Sequence, residues 1–139
     1  MKKNLPLAQG WFRKAEKDIS AVNALIGSAE LYDAATFHAQ QAAEKYLKGY
    51  LAFCGVTNIP KTHNLLSLYK LCGDCDDTIE IQPNILSELT VYAVETRYDL
   101  TFSPDKTTID SATSATESVR AAVLTAVDKI QEKENPDEG

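Results

Sequence analysis

Apolar residues recur at helical spacing in five blocks, separated by stretches rich in Gly, Pro, Asn and Asp. In the first block Ala8, Trp11, Phe12, Ala15, Ile19, Val22 and Ile26 mark one face and predict a helix from about Leu7 to Ser28, loosened at Gly27. The second begins near Tyr32, with Asp33 as a candidate cap, and continues to about Phe53, where Gly55 stops it. Val56 to Thr62 forms a connection with Asn58 and Pro60, and Thr62 is placed to cap a third helix from about His63. That helix carries Leu65, Leu66, Leu68, Tyr69 and Leu71 and ends in the acidic loop Gly73-Asp74-Cys75-Asp76-Asp77. A fourth runs from about Pro83 to Tyr98, with Ile85, Leu86, Leu89, Tyr92 and Ala93 on one side and a break at Pro104. The fifth, roughly Lys106 to Glu132, opens on weak Thr and Ser helix formers and improves through Val119, Ala122, Val123, Ala126, Val127 and Ile130. Residues 133 to 139 are polar, contain Pro136, and are expected to form a mobile tail.

No block alternates with the period of a strand, and no repeat or linker divides the chain. The expected fold is therefore all-α: one domain over residues 1 to 139, an antiparallel up-and-down bundle of four long helices and one shorter one. The second block departs from a simple amphipathic pattern. Phe37, Ala39, Ala43, Leu47, Tyr50, Leu51 and Cys54 form a broad apolar arc, yet Gln40 and Glu44 lie inside it, one turn apart. His38, Gln41, Lys45 and Lys48 gather on the other side. A carboxylate in an apolar arc needs a partner, so Gln40 and Glu44 are expected to act as a structural polar pair, with Lys48, a tyrosine or Arg97 as candidate partners.

Composition agrees with an ordered globule. The chain has 139 residues, 44% of them hydrophobic, enough to bury a core without disulfides. No apolar run is long enough to span a bilayer, and the first residues lead into charge where a signal peptide would be apolar, so a cytoplasmic protein is expected. Three cysteines fit a reducing compartment. The net charge of −6 is uneven: residues 1 to 61 hold eight Lys/Arg against five Asp/Glu, residues 62 to 139 six against fifteen. An anionic ligand should draw on the first two helices.

Three motifs add a family resemblance. Phe37-His38-Ala39-Gln40-Gln41-Ala42-Ala43-Glu44-Lys45-Tyr46-Leu47-Lys48, then Thr62-His63-Asn64-Leu65, then Ala93-Val94-Glu95-Thr96-Arg97-Tyr98, in this order, resemble the HEPN domain of prokaryotes over about Trp11 to Ile130. The resemblance implies a helical bundle that usually dimerises, an affinity for nucleotides, and pairing with a small nucleotidyltransferase in a toxin–antitoxin-like operon. Many members are RNA-cleaving toxins that carry an arginine and a histidine with four to six residues between them.

That arginine–histidine motif is absent. The relevant positions hold Asp18, Ile19 and Ser20 after Arg13, Phe102, Ser103 and Pro104 after Arg97, and Thr125, Ala126 and Val127 after Arg120. The expected function is thus a non-catalytic module that binds nucleotide, serves as partner of a nucleotidyltransferase, or both, with no catalytic residues and no cofactor. Two alternatives stay open: a divergent ribonuclease using His38 or His63 with Arg97, and a purely structural dimerisation domain.

His38, Gln41, Lys45, Lys48, Lys61, His63, Arg97 and Tyr98 form the expected ligand surface, lysines supplying charge, Gln and His directional hydrogen bonds, and tyrosine a stacking ring. The same residues also fit an ordinary solvated helix face. Cys54, His63, Cys72 and Cys75 are zinc-type ligands in sequence, but Cys54 and Cys72 lie on apolar faces, so buried reduced thiols and no metal are expected.

Overall fold

The computed structural model describes residues 3–101 and 103–134, the side chains of Thr96 and Arg97 excepted. Five α-helices follow in order, with a short 3-10 turn at Ala29–Leu31: α1 (Leu5–Leu25), α2 (Tyr32–Phe53), α3 (Leu65–Cys75), α4 (Pro83–Tyr98) and α5 (Lys106–Glu134). No strand occurs among the described residues.

Local chemistry sets the helix ends, and it moves several from where the apolar pattern put them. The Asn4 side chain accepts the Leu7 N–H at 3.1 Å and Pro6 fits the first turn, so α1 starts at Leu5 and not Leu7. It ends at Leu25, before Ser28, because the chain turns through Ala29–Leu31. That turn feeds directly into α2, which leaves Asp33 inside the first turn, accepting its neighbour's N–H from Ala34, and not at the cap. The third helix is capped by Asn64, whose Oδ1 accepts the Ser67 N–H at 3.1 Å, while Thr62 accepts from Asn64 one step earlier. Its helical turns continue through Gly73 and Asp74 to Cys75, residues expected in the acidic loop. At the other end of the chain Lys133 and Glu134 are helical, and the rest of the expected tail lies outside the described residues.

Gly55 stops α2 as its sequence predicts. Its φ of 93° is the left-handed conformation that favours glycine, and its N–H reaches the Ala52 carbonyl while Val56 N–H reaches Leu51. These two bonds make a Schellman cap.

α2 is the axis of the molecule, packed by α1, α3, α4 and α5. Every residue from Tyr46 to Phe53 is buried. Tyr46, Leu47, Tyr50, Leu51 and Phe53 each contribute about 1.5–3 kcal/mol on leaving water. Hydrogen bonds lock neighbours onto this axis: Thr116 Oγ1 of α5 donates to the Ala39 carbonyl at 2.8 Å, and Tyr50 Oη donates to the Asp76 carbonyl at 2.7 Å. The Cys72 thiol donates to the Leu47 carbonyl at 3.4 Å.

α1 approaches α2 at Gly49. A methyl group there would stand 2.7 Å from Phe12 Cδ1 and 3.0 Å from Trp11 Cβ. Phe12 has little room to yield, since its ring stacks on Tyr46 with centroids 5.4 Å apart. Gly49→Ala should therefore lower stability by about 1–3 kcal/mol despite alanine's better helix propensity, read as an earlier midpoint in urea unfolding.

Candidate functional site

Two carboxylates are buried at the sides of α2, and each holds one lysine and one histidine. Glu44, only 4% exposed, accepts from Lys48 Nζ at 3.1 Å and from His63 Nδ1 at 2.7 Å. Asp18 of α1, 7% exposed, accepts from Lys45 Nζ at 2.6 Å and His38 Nδ1 at 2.8 Å. In both clusters Nδ1 must donate, because a carboxylate can only accept. Each imidazole is thereby left with Nε2 as its remaining functional nitrogen.

The surface expected on α2 is therefore divided and largely occupied. Lys48, read from the sequence as part of a ligand face, is 7% exposed, because α1 covers it: its Nζ lies 5.9 Å from the Trp11 ring centroid and bonds to Glu44. Lys45 is half-buried and tied to Asp18. Gln40 and Glu44, expected as a structural polar pair, are both buried in the core but do not bond to each other. Gln40 Nε2 donates to the His63 carbonyl at 3.2 Å and its Oε1 accepts from Gln41 at 2.8 Å. Among the described candidate partners of Glu44, Lys48 is the one engaged. The Arg97 side chain lies outside the described residues.

The segment at His63 is held at three points. Its ring is bound to Glu44, its carbonyl to Gln40, and the Leu65 N–H just beyond it donates to Thr90 Oγ1 of α4 at 3.2 Å. Its side chain is still half exposed. It lines a cavity of about 300 Å³ with the amides of Gln40, Gln41 and Asn64, the Thr90 hydroxyl, and an α4 wall of Ala93, Val94 and Tyr98. This cavity brings together Gln41, His63 and Tyr98 of the expected ligand set. His38 and Lys45 belong instead to the Asp18 cluster, and Lys61 is exposed, with no ion pair among the described residues.

Asp18 is the functional-looking residue that sequence reading missed. The signal was present: with Ala15 and Val22 it falls at helical spacing within the apolar face of α1, just as Glu44 does on α2.

The cysteines are free, Cys54 and Cys72 buried and Cys75 half-buried. His63, their supposed companion, is engaged by Glu44, and no group of three His, Cys, Asp or Glu suited to a metal occurs among the described residues. Burial pushes the Cys54 thiol up to about 11, with the nearby Cys75 adding to the rise, and pushes Cys72 higher still.

This arrangement defines an all-helical domain of a known kind. The HEPN domain family model matches residues 8–130, most of the chain, and the protein belongs to that family. No curated protein matches it. No helix among the described residues is long and apolar enough to cross a membrane.

Two outcomes follow. Lys48→Ala leaves the Glu44 carboxylate in the core with His63 alone and should cost about 2–4 kcal/mol in denaturant unfolding, more than Lys45→Ala at its more exposed site. Iodoacetamide at neutral pH should leave Cys54 and Cys72 unmodified in the folded protein and alkylate both after unfolding, as followed by peptide mass spectrometry.

Proposed function

We propose that this HEPN-family protein is a binding module without catalysis of its own, which dimerises, takes a nucleotide beside His63, and serves as partner of a nucleotidyltransferase-type protein. One observation carries the reading: no arginine has a histidine at the spacing of the family's ribonuclease motif. The imidazoles serve the helix packing first. The cavity at His63 is lined by the amides of Gln41 and Asn64 and the ring of Tyr98, groups of the kind that read a nucleobase edge and stack on its face.

The dimer reading rests on α4. Val91, Val94 and Tyr98 recur at helical spacing and are 50%, 53% and 77% exposed, with Leu100 fully exposed just beyond. This apolar stripe adjoins the cavity through Val94 and Tyr98, so a second copy seated on α4 would close the site.

A ribonuclease reading draws on the Glu44–His63 pair, since a carboxylate on Nδ1 leaves Nε2 suited to general-base work. RNA integrity separates the two. The purified protein is expected to leave RNA intact across the accessible pH range, whereas cleavage abolished by His38→Ala with His63→Ala would establish the enzyme. Val94→Glu should shift the molecular mass measured in solution from dimer to monomer and weaken nucleotide binding together with it.

A further inference from the structure

On the far side of α2 from the His63 cavity, α1 and α5 enclose an open groove of about 650 Å³. Gln9, Arg13, Glu16, Lys17 and Ser20 line it from one face of α1, and Arg120 and Leu124 from α5. We propose that this groove is a separate binding site for a phosphate monoester carried on a flat ring.

Charge is the first reason. The protein is acidic overall, and its Lys3, Lys45, Lys48, Lys106 and Arg120 are each paired with a carboxylate. Arg13 and Lys17 are exposed, one turn apart, and have no ion pair among the described residues. The one acid lining the groove is already engaged: Arg120 Nε and Nη2 each lie 3.2 Å from Glu16 Oε1. Arg120 Nη1 also reaches Glu117 at 3.4 Å. Burial, reinforced by Glu16, pushes the Tyr46 phenol up to about 12, so the ring stays neutral at the groove. Two cations thus remain uncompensated over a neutral polar floor.

Shape and chemistry give the second reason. Arg13 and Lys17 at i and i+4 stand about 5–6 Å apart at Cβ, a spacing that suits one compact dianion better than charges spread along a peptide. Arginine grips phosphate through a planar fork, and lysine adds a point charge. Phe12, stacked on Tyr46, and Leu124 supply an apolar base for a ring next to that phosphate. The volume suits a ligand of that size. Ser20 and Gln9 lie at the groove's ends as hydrogen-bonding groups.

The site shares no residue with the His63 cavity, so the proposal stands or falls apart from the proposed function. Phenyl phosphate titrated into the isotopically labelled full chain should shift amide resonances of residues 9–20 and 120–124, and Arg13→Gln with Lys17→Gln should weaken binding by about tenfold or more. These two positions are exposed, and an unchanged far-ultraviolet spectrum and urea midpoint would confirm that the double variant folds. His63→Ala should bind phenyl phosphate as the parent does. The proposal is overturned by shifts centred elsewhere, by a double variant that titrates like the parent, by equal binding of uncharged benzyl alcohol, or by no binding at all.

Discussion

A helix enclosed by its neighbours must satisfy its own polar side chains without water, and α2 does this under the heaviest load in the molecule. Glu44, Lys48 and Gln40 all lie in its buried wall. An unpaired carboxylate there would cost several kcal/mol, so its partners are structural necessities before they are anything else. The lysine comes from one turn along the same helix, but the histidine comes from the connection to α3. Satisfying one charge therefore fixes where a loop must lie, and that loop forms a wall of the cavity. Cavity wall and core are here two faces of one electrostatic requirement.

The Asp18 cluster repeats the solution between α1 and α2. Together the two clusters pin α2 to its neighbour on one side and to the following loop on the other. Among the described residues no buried side-chain polar atom lacks a partner. Rigidity of this kind suits a protein that presents preformed surfaces to a ligand or another chain.

Much of this could be read before any coordinates. Five helices, the stop at Gly55, and the anomaly of Gln40 and Glu44 inside an apolar arc all follow from periodicity, because each depends on residues within one or two turns. The caps at Asn4 and Asn64 were equally local, but Leu7 and Thr62 drew the boundaries away from them. Lys48 was out of reach for another reason. On a helical wheel it sits with the polar residues, and only the packing of Trp11 across that side buries it. Asp18 needed a partner 27 residues away to reveal its role. Sequence periodicity finds which face is buried against something; it does not say how much of the helix several neighbours together will cover.

The close approach at Gly49 carries a consequence for how the sequence can change. The volume absent from position 49 is the volume that Phe12 occupies, and Phe12 in turn supports Tyr46 and the floor of the α1–α5 groove. Positions 12 and 49 thus draw on one shared space, and their substitutions are not independent: a larger residue at 49 becomes tolerable only when 12 shrinks, and shrinking 12 removes the aromatic base of the groove. The chain can vary its helix packing or keep that surface, but at this crossing it cannot do both.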